Sequence, residues 1–168
     1  MSDALADCLR YDRWATLTLI EACRGLTPEQ LAGRATPASR SVGELFQHLV
    51  GADLTFALRT KGRQHEGESA HVEAAWPGFE LLREVAASTA DELIAIARDL
   101  DETEMVTLPY QGRRFEYPKG FFLLHAIQHG VEHRTEIKLT LALGGIDTPD
   151  LDGWFYSEAA GYGQEVAG

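Results

Sequence analysis

Histidines are concentrated in one short stretch of the chain, HAIQHGVEHRTE at residues 125–136. His125, His129 and His133 follow one another at four-residue intervals, although the 168-residue sequence contains only six histidines. Four residues advance an α-helix by about 400°, so His129 and His133 stand one turn apart on one face. Helical zinc sites use paired histidines at this spacing. His125 is displaced by about 80° from His133, so we expect the third ligand to come from another helix.

His48 is the candidate for that third ligand. In the segment SVGELFQHLVGAD it lies among Leu45, Leu49 and Ala52 on the apolar stripe of a predicted helix, so its ring is expected to face inward. A buried imidazole without a partner costs roughly 1–3 kcal/mol, so this ring needs a hydrogen bond or a metal ion. The residues alone leave two interpretations open. The histidines are hydrogen-bonded core residues, or they bind a divalent ion that keeps a fourth coordination position open.

Two charged side chains close to these histidines, Arg134 and Glu136, have two interpretations each. Arg134 projects about 100° from His133 and would either clamp a substrate carboxylate or form a structural ion pair. Glu136 lies seven residues after His129, roughly on its face, and would orient a ligand histidine or remain solvated. Asp53 is expected to pair with a neighbouring helix.

Four long amphipathic helices are predicted, and they must position these side chains. The first runs from about Ser2 to Arg24, the second from Ser41 to Gly62, the third from Pro77 to Leu100 and the fourth from Pro118 to Leu143. Glu44 is best explained as the capping-box partner of Ser41. The apolar stripe of the third helix is predicted at Leu81, Leu82, Val85, Leu93, Ile96, Ala97 and Leu100.

Shorter elements are predicted between and after these helices. A helical turn follows the N-cap Thr27, and residues 63–76 are predicted to form a loop. The alternating segments between Met105 and Tyr117 predict a β-hairpin, with Gln111-Gly112 in its turn, and a short helix is expected from about Asp150. The chain is therefore predicted to be all-α, a four-helix bundle with a small β-hairpin before the last long helix, in a single domain over residues 1–168.

Composition argues against several classes of partner. The formal net charge is −11, and the 15 basic residues are scattered among 26 acidic ones, so we expect no nucleic-acid partner. No segment approaches the roughly 18 apolar residues of a membrane span.

Cys8 and Cys23 lie on one predicted helix about 22 Å apart, too far for a disulfide. Two unpaired cysteines, and a start without a secretory signal, predict a cytoplasmic protein.

Two segments of the chain resemble the DinB/YfiT-like family. HAIQHGVEHRTEI, followed by ALGGIDTPDLDGW, is similar to the family's last bundle helix with its His-x-x-x-His-Arg pattern, and SVGELFQHLVGAD is similar to its second helix. The pair Thr135-Glu136 departs from the Gly-Gln that many relatives carry after the arginine. The resemblance implies that His48, His129 and His133 bind a divalent ion, typically zinc or nickel. It also implies a four-helix bundle that often forms a homodimer. His125 is not one of the three ligands in this pattern, and we expect it to support the ligands or line the pocket.

The resemblance implies two kinds of chemistry for such a site. One is metal-dependent hydrolysis, and the other is transfer of a low-molecular-weight thiol such as bacillithiol or mycothiol to a small-molecule substrate. The sequence does not choose between hydrolase and transferase. An alternative is a non-catalytic, dimeric stress protein that binds a metal or small ligand, and a third interpretation makes the histidines purely structural.

Overall fold

The computed structural model of the protein describes residues 2–63 and 75–163, and within these ranges it is mostly helical. The helices of this part of the chain are α1 (Ser2–Ala22), α2 (Pro28–Leu31), α3 (Val42–Arg59), α4 (Phe79–Arg98), α5 (Lys119–Leu143) and α6 (Gly153–Ala160). Two strands, β1 (Met105–Tyr110) and β2 (Arg113–Pro118), form the antiparallel sheet. None of the described helices combines the length and apolar character needed to cross a membrane.

The start of α3 follows directly from the local sequence. The Ser41 hydroxyl accepts a hydrogen bond from the backbone N–H of Glu44, at 3.3 Å, and the Glu44 carboxylate accepts one from the backbone N–H of Ser41, at 2.6 Å. This reciprocal pair satisfies two of the N–H groups that a helix start leaves without partners. The predicted capping box is confirmed, and α2 begins with an equivalent one at Thr27.

The third long helix differs from the prediction in its start and in part of its buried face. It begins at Phe79 instead of Pro77, because Gly78 adopts a φ of 87° that interrupts helical geometry. Leu81 is 49% exposed. The face toward α1 and α3 carries the predicted Leu82, Leu93 and Ala97, together with Ala86, Thr89 and Ile94. The predicted loop at 63–76 falls largely on residues 64–74, which lie outside the described part of the chain.

The predicted hairpin is confirmed, with its turn at Gln111-Gly112. Both turn residues have positive φ, 49° and 74°, which is the backbone of a two-residue turn whose twist matches the flanking strands. Leu108 pairs with Phe115 across the ladder. β2 ends at Pro118, immediately before α5, and packs against that helix.

The long helices pack in pairs around two hydrophobic clusters. α1 and α3 each contact both α4 and α5. One cluster contains Leu19, Phe46 and Leu141, and the other contains Leu9 and Leu123.

Buried polar residues occupy the interval between the two clusters on three helices. Asp12 lies between them on α1, Asp53 on α3, and His133 and Arg134 on α5. This polar layer contains the predicted metal ligand His133 and adjoins the other two, His48 and His129.

Candidate metal centre

His48 reaches the interior because its helix neighbours are core residues. Leu45 and Leu49 of α3 are fully buried in a hydrophobic cluster, and the helix packs against α5. The half-buried His48 ring consequently meets the rings of His129 and His133 from α5.

The structure brings the three predicted ligands together between α3 and α5. The ring centroids of His129 and His133 are 4.2 Å apart. The ring centroid of His48 lies 4.9 Å from that of His129 and 4.7 Å from that of His133. The Nε2 atoms of His48 and His129 are separated by 3.2 Å, and one ring nitrogen from each histidine lies within 4.8 Å of the others. Nitrogens bound at about 2.0–2.1 Å to one tetrahedral zinc ion stand roughly 3.3 Å apart. The three imidazoles therefore form a group that can hold one metal ion.

Burial keeps two of these rings neutral. It lowers the pKa of His48 to about 4, with the Arg40 charge as a further cause. Burial likewise lowers the pKa of His129 to about 3, assisted by the neighbouring His133 and His48 rings. A neutral imidazole presents a lone pair, which is the form that binds a metal. The Nδ1 atom of His129 is buried and has no hydrogen-bond partner among the described residues.

Glu136 contacts the third ring, that of His133. Its carboxylate oxygen lies 2.6 Å from Nδ1 of His133. A hydrogen bond to Nδ1 fixes the tautomer and leaves Nε2 free to bind an ion. Of the two interpretations considered for Glu136, the geometry favours orientation of a ligand histidine.

His125 lies beside the group but does not belong to it. Its ring packs on Phe56, with centroids 4.5 Å apart, and stands 6.0 Å from the His129 ring. Phe121 flanks it on the other side, at 5.6 Å. Burial and the charge of Arg59 lower the pKa of His125. The side chain forms part of an aromatic wall next to His129.

The family profile of the DinB family matches residues 1–166, which is almost the whole chain. The chain belongs to the DinB family. Among solved structures, it is similar to a DinB-like protein from Bacillus cereus, with 20% sequence identity and a TM-score of 0.66. That similarity covers 88% of this chain and 95% of the other, and at this identity it supports the fold alone. No curated protein matches the chain significantly.

In this DinB-family chain, Arg134 is held by a buried ion pair. Its guanidinium lies 2.7 Å from an Asp12 carboxylate oxygen and donates a hydrogen bond of 2.8 Å to the Thr16 hydroxyl. Arg134 is 3% exposed. The structural ion pair is therefore the interpretation that the structure favours for Arg134, and the substrate clamp is not supported.

A second buried carboxylate, that of Asp53, lies in the same polar layer as Asp12. Asp53 of α3 is buried, and its pKa is raised well above the ordinary value by burial and by the charge of Asp12, against the opposing effect of Arg134. Burial also raises the pKa of Asp12. One guanidinium compensates one carboxylate, so the protonated form of Asp53 is favoured.

Gly130 is a contributor that sequence reasoning missed. A Cβ at this position would lie 2.4 Å from Oδ1 of Asp12 and 2.7 Å from a terminal nitrogen of Arg134. Only glycine allows the ion pair to lie against the backbone of α5, between His129 and His133. The signal in the sequence for this ion pair was Asp12, an acidic residue three positions after Leu9 on the inner face of α1. An acidic residue on an inner face needs a partner on a neighbouring helix.

Proposed function

We propose that this protein binds a divalent metal ion through His48, His129 and His133 and is a metal-dependent enzyme. The reaction class is hydrolysis, or transfer of a low-molecular-weight thiol, on a small-molecule substrate. The observation that carries the proposal is the convergence of three ring nitrogens within 4.8 Å of one another. Membership in the DinB family supports it, because the resemblance of the two histidine-bearing segments to that family implies these three residues as ligands.

The donor set fits a zinc or nickel ion. Imidazole nitrogen suits both metals, and three protein ligands leave a coordination position for a water molecule or substrate, as in catalytic zinc sites. Two of the rings are already neutral at neutral pH, so binding requires no proton release from them.

A divalent ion in this site supplies Lewis-acid activation of a water molecule or a thiol at neutral pH. Side chains of the protein hold the ion, orient one of its ligands and limit the access of water. His48, His129 and His133 hold the ion, and Glu136 orients His133 through its Nδ1 atom. His125 and its aromatic neighbours provide an apolar wall that limits access of water on one side.

Metal analysis of freshly purified protein without a polyhistidine tag tests the proposal. We expect close to one zinc or nickel ion per chain, and loss of that ion in His129→Ala. The matched control is His125→Ala, one turn earlier on the same helix, which should retain the ion. A folded, monodisperse protein without metal, which also fails to bind added zinc, would overturn the proposal and leave the histidines structural.

The reaction class requires a second comparison. Metal-loaded protein is incubated with an electrophile and either bacillithiol or mycothiol, and separately with hydrolysable esters and amides. Thiol-dependent turnover that His129→Ala abolishes supports the transferase. Hydrolysis without any thiol-dependent reaction supports the hydrolase. Metal binding without turnover in either assay supports the non-catalytic binding protein.

A homodimer completes the proposed assembly. Leu124, Val131 and Leu139 of α5 are 50%, 47% and 55% exposed. Their spacings of seven and fifteen residues place them within about 80° of one another, so they form one apolar stripe. A second copy packing on this stripe would remove it from water. Light scattering should give a dimer mass that falls to the monomer mass in Val131→Glu, whereas a monomeric unsubstituted protein would contradict the dimer.

We infer a four-helix bundle, because α1 and α3 each pack against both α4 and α5, as expected for the four helices of a bundle. A cytoplasmic location is supported by the two free cysteines, Cys8 and Cys23.

A further inference from the structure

An open cleft lies between α1, α4 and α6 and shares no lining residue with the histidine group. Its volume is about 530 Å³, within the range of small-molecule sites. Arg10, Arg13 and Arg98 line it, together with the rings of Trp14 and Tyr156. Three guanidinium groups around one cleft are notable in a chain whose net charge is −11.

The charges around the cleft leave one arginine for a ligand. Arg10 forms an ion pair with Asp7, and Nε of Arg13 lies 2.8 Å from a carboxylate oxygen of Asp91. Arg98 is exposed at the end of α4 and forms no ion pair with any residue in the described ranges. Among the lining residues and their ion-pair partners, three guanidinium groups stand against two carboxylates. This balance favours a ligand with one negative charge.

The walls of the cleft favour a flat, apolar body for the same ligand. The rings of Trp14 and Tyr156 have centroids 5.5 Å apart and are inclined at 50°. Tyr156 is held in place by an edge contact with Tyr11, also at 5.5 Å. Small side chains on the facing helices, Ala95 of α4 and Ala159 of α6, leave room beside the two rings. Aromatic rings at such a surface contribute large contact area at low conformational cost.

We propose that this cleft binds a small aromatic monoanion, a carboxylate or a sulfonate, with its charged group on Arg98 and its ring against Trp14 and Tyr156. The site is separate from the histidine group and does not depend on the proposed metal chemistry. Its ligand class follows from one unpaired guanidinium beside two aromatic rings. Arg98 is the residue that discriminates a charged ligand from a neutral one of the same shape.

The probes are naphthylacetate and its neutral analogue naphthylacetamide, which share one aromatic body. Ligand-observed NMR on the full chain measures both affinities. We expect naphthylacetate to bind at least fivefold more tightly than the amide. Arg98→Gln should weaken naphthylacetate binding about fivefold to tenfold, the scale of one charge-assisted hydrogen bond partly exposed to water, and leave amide binding unchanged. Arg114→Gln, an exposed arginine of β2, is the matched control and should bind both probes as the unsubstituted protein does.

Each result decides for or against the proposal. Equal affinities for the two probes, the same naphthylacetate affinity in Arg98→Gln and the unsubstituted protein, or no saturable binding at millimolar ligand would overturn it. A chelator should leave naphthylacetate binding unaltered, and loss of binding on metal removal would place the ligand at the histidines instead. Circular dichroism and metal content of Arg98→Gln should match those of the unsubstituted protein. Failure of the metal proposal leaves this cleft and its test unaffected.

Discussion

Replacement of Gly130 by alanine is expected to destabilise the protein, although alanine is the better helix former. Inside a helix, alanine is favoured over glycine by about 1 kcal/mol. Here, however, the added Cβ would lie 2.4 Å from Oδ1 of Asp12 and 2.7 Å from Arg134, so the buried ion pair must open. Breaking a buried pair costs about 3–5 kcal/mol. The steric effect therefore exceeds the gain in helix propensity.

The expected net loss is about 2–4 kcal/mol of unfolding free energy. For a chain of this size, that loss lowers Tm by about 4 to 16 °C. Urea and thermal unfolding of the metal-free protein, followed by circular dichroism, measure both quantities. Gly120→Ala on the same helix is the matched control, because its nearest contact is the mobile end of the Leu100 side chain at 3.3 Å. Its stability should change by less than about 1 kcal/mol.

A double-mutant cycle identifies the cause of the loss. If the alanine methyl acts by displacing the Asp12 carboxylate, then Gly130→Ala should cost little more in a chain that already carries Asp12→Ala. Unsubstituted stability in Gly130→Ala, or fully additive losses in the double variant, would refute the reasoning.

Three further outcomes are expected. Since burial lowers the pKa of His48 to about 4 and that of His129 to about 3, both rings should titrate near these values by NMR in the metal-free protein. Below about pH 6.5 the unfolded chain binds protons that the folded chain does not, so these two groups lower stability as pH falls. Glu136→Gln should weaken zinc binding about tenfold in calorimetric titration. Cys8 should react with a thiol reagent in the native protein while Cys23 should not, because burial raises the Cys23 pKa to about 11, and mass spectrometry counts the labelled thiols.

The controls for these experiments use neighbouring groups. Ring titrations near the ordinary histidine value of about 6.5 would contradict the burial argument for His48 and His129. Glu132→Gln, on the same helix as Glu136, should bind zinc as the unsubstituted protein does. Rapid labelling of Cys23 in the native state would show that its environment at the end of α1 is open.

Local sequence determined where the elements begin and turn. The Ser41 and Glu44 side chains satisfy helix-end N–H groups a few residues away, so their pairing was readable without any tertiary information. Gln111 and Gly112 form the predicted turn for a similarly local reason. The boundary at Gly78 was less predictable, because its φ of 87° is one of several conformations open to glycine.

The ligand group was only partly accessible from sequence. Helix periodicity alone placed His129 and His133 on one face, because their spacing matches the helical repeat. The sequence suggested His48 through its inward position on an apolar stripe, and the family resemblance supplied the assignment. That its Nε2 atom lies 3.2 Å from that of His129 depends on how α3 packs against α5.

Only the tertiary structure decided the roles of Arg134 and Gly130. The arginine had two equally reasonable partners in the sequence, a substrate or an acidic side chain, and Asp12 is 122 residues earlier in the chain. Its choice of partner, and the need for a glycine beside it, depend on the close approach of α1 to α5. Caps, turns and helix faces arise from neighbours a few residues apart, whereas contacts across helices arise from packing distance and side-chain direction, which no single segment contains.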